Sequence, residues 1–278
     1  VSQKKVEAAS TGKLSVTGYQ DYNDAQKILK EVNKYRKKNG RKALKMDRGL
    51  TNSAIMRGFE TTIYIPETSP HRRPNGKLSK SINKKIIYEN CAQSAETTPK
   101  QIVKGWINSS THRKGLLLSN AKSVGVAAVT VVSRDGYEAN TWVLDFSSSK
   151  AKKVEKSKAR KQFTKNIVTK NSYLKKGYLK LDSRYGTIWE TEKMQMKPTY
   201  QGKMMKEYGV YPTVINTSSF TSWKSSNPSV ASVDSNGRIT GNKAGTATIS
   251  VKLKTGTKIT ISKKIKVVPT NQQIDPWE

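Results

Sequence analysis

The spacing of apolar residues changes once along this chain and does not change back. From Asp21 to Leu118 they recur at helical intervals, interrupted by one long loop; beyond Leu118 they alternate, and the alternation persists through the rest of the chain. That order predicts helices packed with a sheet, followed by a region built of strands alone. The chain is 278 residues long, enough for about two domains that each bury a core.

Residues 1–20 mix Lys, Ser, Thr and Gly without a sustained period and read as a flexible arm. Asp21, Asn23 and Asp24 are candidate N-caps for a first helix, with Ile28, Leu29, Val32 and Tyr35 on its apolar side and Asn39-Gly40 as its stop. A second helix starts near Asp47, carries Leu50, Ala54, Ile55, Phe59 and Ile63, and is broken by Pro66. After a long loop, Thr98 caps a third helix with Pro99 at its first position and Ile102, Val103, Trp106 and Ile107 facing inward. Val124 to Val132, the turn pair Asp135-Gly136, and Tyr137 to Phe146 predict a β-hairpin. The first domain is thus expected over residues 21–148.

Residues 149–165 are dense in Lys150, Lys152, Lys153, Lys156, Lys158, Arg160, Lys161 and Lys165, opposed only by Glu155. Such repulsion favours an extended, solvated linker, which could also grip an anionic polymer. From residue 166 to 269 short strands and turns predict an all-β sandwich without helices, and residues 270–278 form a tail.

The formal net charge of +32 draws the chain toward polyanions, whether nucleic acid, anionic lipid or a phosphate-rich wall polymer. The excess Lys is spread over both domains and no nucleic-acid motif is present, so no specific nucleic-acid partner is expected. No apolar run approaches the roughly 18 residues of a membrane-spanning helix. A single cysteine, Cys91, excludes an internal disulfide framework and a multi-thiolate metal site. It reads as a small buried apolar side chain rather than a nucleophile.

The chain has only two histidines, His71 and His112, placed on either side of Glu89. His71 lies in Ser69-Pro70-His71-Arg72-Arg73-Pro74-Asn75-Gly76, and His112 follows the third helix in Trp106-Ile107-Asn108-Ser109-Ser110-Thr111-His112. Isolated histidines are often structural. Here they belong to an ordered series: Val32 to Arg36, the His71 loop, Tyr88-Glu89-Asn90, Trp106 to His112, Gly125-Val126-Ala127 and Trp142 to Phe146. In that series, from about Ile28 to Phe146, the chain resembles bacterial members of the CAP superfamily, the SCP or cysteine-rich secretory protein domains.

The resemblance implies an α+β fold, an α-β-α sandwich, with a cleft where His71, Glu89 and His112 converge. It implies that His71 and His112 can hold zinc or another divalent cation, with Ser109, Glu60 and Asn90 as cleft neighbours. Animal relatives usually carry a second acid where Ser109 stands, and the family usually has Gly where Tyr88 and Thr111 stand. If the protein is a hydrolase, Glu89, His71 and His112 are its expected catalytic residues.

Trp223 to Asp234, Gly237 to Gly241 and Ala244 to Ile249 resemble a bacterial Ig-like domain of group 2, an all-β sandwich in which Trp223 is an expected core anchor. Such domains are spacers or adhesive modules of exported proteins. With Val1 as the first residue, a preceding segment is expected to be absent, and a removed secretory signal explains that as readily as a truncated chain does. The combined expectation is a secreted, extracellular or wall-associated bacterial protein that binds a surface ligand, an anionic wall polymer or a lipid without catalysis. The alternative is a metal-assisted hydrolase acting on peptide or wall material.

Overall fold

The structure, a computed structural model, describes residues 11–63, 71–94, 97–183 and 185–271. Pro66, Ser69, Pro70 and most of the expected tail lie outside the described residues. The chain divides into two compact units. The first comprises Val16–Ile167 and Gly202–Thr213; the second comprises the residues up to Ser15, Val168–Gln201 and the residues from Val214 onward.

The early elements are β1 (Thr11–Asp21), α1 (Tyr22–Lys38), β2 (Lys45–Met46), α2 (Arg48–Ile63), β3 (Tyr88–Ser94), α3 (Pro99–Asn108), α4 (Ser110–Leu116), β4 (Ser123–Val132), β5 (Glu138–Ser147) and β6 (Arg160–Lys170). One sheet runs β3-β5-β4-β1-β6, with β2 beside β4. The expected hairpin forms, with Val124 opposite Phe146 and Val132 opposite Glu138. Gly136 turns it at φ +86°.

Alternation along these strands sends side chains to two faces. On one face Val124, Val126, Trp142, Leu144 and Phe146 pack with Ile28, Val32, Ile102, Val103, Trp106 and Leu116. α2 packs on β4 so closely that a Cβ on Gly125 would lie 2.2 Å from the Leu50 carbonyl oxygen. Caps define the helix starts: Asp21 accepts from the Asp24 amide at 2.9 Å, and Thr98 forms a capping box with Gln101.

Two expected flexible segments are ordered. Residues 11–20 of the supposed arm lie in β1, where Leu14 and Val16 are fully buried; Lys13 and Ser15 donate backbone bonds to Thr255 and Ser219 within the second unit. Five residues of alternation, Gly12 to Val16, are too short a signal to stand out from a polar background.

The basic linker is likewise docked on the first unit. Arg48 N donates to Lys153 O at 2.8 Å, Lys152 N to Asp47 Oδ2 at 2.8 Å, Glu155 N to Met46 O at 2.9 Å and Tyr22 N to Ala159 O at 3.0 Å. Arg160 to Lys165 are already part of β6. The physical reason is Glu155: its buried carboxylate accepts from Arg48 Nε at 2.9 Å and Ser157 N at 3.0 Å, while Lys150, Lys152, Lys153, Lys156 and Lys158 remain exposed. The lysines are solvated without the backbone having to leave the domain.

The later elements are β7 (Leu179–Asp182), β8 (Thr187–Trp189), β9 (Lys193–Gln195), β10 (Lys197–Tyr200), α5 (Lys203–Glu207), β11 (Thr213–Val214), β12 (Phe220–Ser225), β13 (Ala231–Val233), β14 (Arg238–Gly241), β15 (Gly245–Leu253) and β16 (Thr260–Val268). They form sheets β12-β15-β16-β8, β13-β14-β9 and β11-β10-β7 around Ile188, Ile239, Ile249, Val251 and Ile265. The expected helix-free run is broken by α5, which belongs with the first unit, so the expected 166–269 span is not one uninterrupted body. Five residues carry no helical period to read. Trp223 is only partly buried; its ring lies 2.5 Å from where a Cβ on Gly237 would stand, so it covers the Asn236-Gly237 turn rather than anchoring the core.

Candidate functional site

The site is built at β3, the edge strand of the first sheet, because its alternation sends neighbouring residues to opposite faces. On one face Tyr88 and Asn90 hold α4: Tyr88 Oη donates to Thr111 O at 3.0 Å and Asn90 Nδ2 to His112 O at 2.9 Å. Gly115 permits this approach, since a Cβ there would lie 2.7 Å from Asn90 Oδ1. Arg36, fully buried on α1, fastens the other end of α4 by donating to Leu116 O at 2.6 Å and Leu118 O at 3.1 Å. The sequence places His112 after the third helix; the extended backbone of Ser109 breaks that helix and puts His112 on a separate one.

On the opposite face Glu89 enters a buried ionic chain. Arg57 Nε donates to Glu89 Oε2 at 2.8 Å, and its two terminal nitrogens donate to Glu89 Oε1 at 3.2 Å and Glu60 Oε2 at 2.8 Å. Arg73 donates to Glu60 Oε1 at 2.7 Å. His71 Nδ1 donates to Glu89 Oε1 at 2.9 Å, and the His71 side chain is 32% exposed whereas that of Glu89 is 1% exposed. The chain of contacts therefore runs from a buried arginine to an imidazole that reaches solvent.

The electrostatics follow. Burial alone would raise the Glu89 carboxyl, but the His71 hydrogen bond and the Arg57 charge outweigh it and hold the group below its ordinary range. Burial likewise opposes the charge on Arg57, and Glu89 and Glu60 reverse that, so the guanidinium stays charged. Burial, and after it a Coulombic contribution from His71, lower His112, so both act to keep it neutral.

His71, Glu89 and Glu60 are thus brought into one network. His112 bonds instead to Ser109, with Nδ1 at 3.0 Å from the hydroxyl oxygen, and is joined to the rest through Asn90.

Arg57, Arg73 and Asp145 belong to the site and were not singled out from the sequence. Arg57 and Glu60 are three residues apart on α2 beside Ala54, Ile55 and Phe59, and a charged pair at helical spacing inside an apolar run is a readable signal of burial. Asp145 stands opposite Glu89 on β5, completely buried, with neither carboxyl oxygen hydrogen-bonded among the described residues. Burial and the Glu89 charge push it well above its ordinary range. Its signal was an acid inside Trp142-Val143-Leu144-Asp145-Phe146.

His71, Glu89 and Cys91 offer ligand atoms within 4.8 Å of one another. Burial, then the Glu89 charge, push the Cys91 thiol up to about 12, so it is neither a thiolate ligand nor a nucleophile at neutral pH in the absence of an ion. The carboxylate oxygens of Glu60 and Glu89 already accept from guanidinium groups. Each imidazole has Nδ1 engaged, by Glu89 in His71 and by Ser109 in His112, which fixes the orientation of the ring.

The family model of the cysteine-rich secretory protein family matches residues 29–146, and that of the bacterial Ig-like domain of group 2 matches residues 201–265. The chain is 31% identical over 130 residues to the uncharacterized protein YkwD of Bacillus subtilis (strain 168), across 45% of this chain and 48% of the relative. It thus spans about half the length of that curated relative.

An extracellular protein containing a SCP domain from Bacillus anthracis str. Ames aligns with a TM-score of 0.34 at 19% identity, over 45% of this chain and 41% of the other. An outer surface protein of Borrelia burgdorferi aligns with a TM-score of 0.35 at 17% identity, over 47% of this chain and 98% of the other. Helices and a sheet come first and a strand-rich region follows, in the order of the two family matches. Residues 29–146 are thus similar to the CAP domains of the cysteine-rich secretory protein family, and residues 201–265 to bacterial Ig-like domains of group 2.

Proposed function

We propose that this is an exported bacterial surface protein whose CAP domain binds a ligand without turning it over. The observation that carries this reading is the state of Glu89. A general base needs an accessible lone pair and a proton affinity near the working pH. Glu89 has both oxygens held by Arg57, one shared with His71, and its proton affinity is lowered rather than raised. Glu60 is occupied in the same way. The acids stiffen the site, and the groups proposed to meet a ligand are the part-buried rings of His71 and His112.

His71 and His112 would hold zinc or a related cation, which when bound supplies Lewis acidity and an anchor for an anionic or carbonyl-bearing ligand. Glu89 and Ser109 fix the rings, and Arg57 keeps Glu89 ionised so that it continues to accept from His71. The exposed lysines of residues 150–158 favour retention on an anionic wall polymer. Export is supported by the pairing of the two domain types, and no helix among the described residues is long and apolar enough to cross a membrane.

The test compares turnover with retention. Purified protein with and without zinc is incubated with peptidoglycan and with unstructured peptides, alongside folded His71→Ala and Glu89→Gln variants. The expected result is no product formation that distinguishes wild type from the variants, together with salt-sensitive retention on an anionic wall polymer. Product formation by the wild type that both variants lose would replace binding with the hydrolase alternative.

A further inference from the structure

Away from the histidines, the first unit carries a groove of about 600 Å³ at the free end of the β4–β5 hairpin. That is within the range of small-ligand sites, roughly 300–1,000 Å³. Its walls include Gln93, Ser94, Asn140, Tyr137, Tyr208 and Tyr211. Tyr137 and Tyr211 stack with centroids 4.6 Å apart and planes at 17°, yet remain 58% and 50% exposed, and Tyr208 is 67% exposed.

Three exposed tyrosines at one place need an explanation, because the backbone is built to hold them there. Gly136 at φ +86° turns the hairpin just before Tyr137, and Gly209 at φ +66° turns the chain between Tyr208 and Tyr211. The tyrosine-bearing segment is fastened by Arg134 N donating to Pro212 O at 3.2 Å and Thr213 Oγ1 donating to Thr62 O at 3.0 Å.

The polar lining is anchored at one end and open at the other. Gln93 Nε2 donates to Thr61 O at 3.0 Å, which leaves its Oε1 as an acceptor. Asn140 Oδ1 accepts from Thr130 Oγ1 at 2.7 Å, which leaves its amide N–H groups as donors. Ser94, opposite Asn140 across the strands, accepts from Trp142 Nε1 at 3.0 Å, which leaves its hydroxyl hydrogen to donate. These groups are fixed in place before any ligand arrives.

The groove is also electrically quiet. The chain has 52 Lys and Arg among 278 residues, yet among the described residues none lines this groove, and the one charged lining residue among them, Glu138, lies 3.1 Å from Arg160. A polyanion would find its cations elsewhere on this protein.

We infer that this groove binds an uncharged oligosaccharide, its pyranose rings laid on Tyr208 and on the Tyr137–Tyr211 pair and its hydroxyls bonded to Gln93, Ser94 and Asn140. A pyranose has an apolar C–H face and an equatorial rim of hydroxyls that each donate and accept. The aromatic faces match the first, and the mixed donors and acceptors match the second. Tyrosine holds its surface at small entropic cost, having two side-chain torsions. This site is separate from the histidine cleft, and its test does not depend on the reading given to that cleft.

The full chain is titrated by calorimetry with trimers of N-acetylglucosamine, β-linked glucose and α-linked glucose, and with a polyproline peptide as the competing occupant of a tyrosine groove. The expected result is saturable binding of at least one trimer with a dissociation constant of about 1 mM or tighter. Affinity should be the same at about 0.15 and about 0.5 M salt, because no charge is involved. It should weaken about tenfold or more in Tyr208→Ala. Tyr208 is exposed, so its variant is expected to fold; Asn140→Ser serves as a second variant and should show the same loss.

Saturation by none of the three sugars up to about 10 mM would overturn the proposal. So would sugar binding left unchanged by both variants, or peptide binding without sugar binding.

Discussion

Arg57 grips Glu89 through two nitrogens, at 2.8 and 3.2 Å, with both side chains 1% exposed. The pair connects the middle of α2 to the edge strand, and Glu60 extends it on the same helix. Removing the guanidinium would leave two buried carboxylates without their shared counter-charge. Arg57→Ala is expected to cost about 3–5 kcal/mol, or to prevent folding. Urea unfolding of wild type and variant measures it; a loss below about 1 kcal/mol would mean that the network is not structural.

The same pair predicts an acid limit. A carboxyl held below its ordinary value of 4.5 stabilises the fold fully above that value, and the contribution is lost as pH falls through the lower folded value. Stability should therefore decline below about pH 4.5, and the decline should be shallower in Glu89→Gln. Thermal midpoints across that range test this, with the steeper wild-type slope as the expected signature.

Asp145 behaves oppositely. Its folded value is raised above the ordinary 3.8, so its contribution is present below that value and is lost as pH rises toward the folded one. Asp145→Asn should gain stability over the wild type as pH rises from about 4 to 7. An identical pH dependence in the two proteins would show that Asp145 carries no raised proton affinity.

For the histidine pair, zinc is expected to bind with one-to-one stoichiometry to the metal-free protein and to be lost in both His71→Ala and His112→Ala. Ser109→Ala, which frees the His112 ring, should weaken binding about tenfold. Because His112 is lowered from 6.5, protons should begin to compete for its ring only below that pH. Calorimetry on the variants decides; indifference to Ser109→Ala would remove the orienting role of the hydroxyl.

Gly125→Ala tests the close packing of α2 on β4. A methyl group 2.2 Å from the Leu50 carbonyl oxygen must displace backbone. The expected loss is at or above the upper end of roughly 1–3 kcal/mol. Denaturant midpoints read it directly.

Those parts of the fold that rest on neighbouring residues are legible in the sequence. Asp21 and Thr98 announce their helices, because capping depends on side chains within three residues. The hairpin about Asp135-Gly136 is legible for the same reason. The docked basic segment is not, since repulsion among its lysines is visible locally whereas the contacts of Glu155 with Arg48 and of Asp47 with Lys152 join residues more than 100 positions apart. Nor is α5, whose five residues carry no period and whose place in the first unit follows from where the chain returns.

Residue type and order along the chain are enough to name the residues that could carry chemistry: two histidines, Glu89 in its Tyr88-Asn90 frame, and Glu60. They also determine the order of the domains. The electrostatic state of those residues is set by their packing. Arg57 and His71 hold the buried Glu89 carboxyl below its ordinary range, and burial together with the Glu89 charge raises that of Asp145 well above its own. Proton affinity depends on the charges and solvent within a few ångströms, and those neighbours come from strands and helices that spacing along the chain does not bring together.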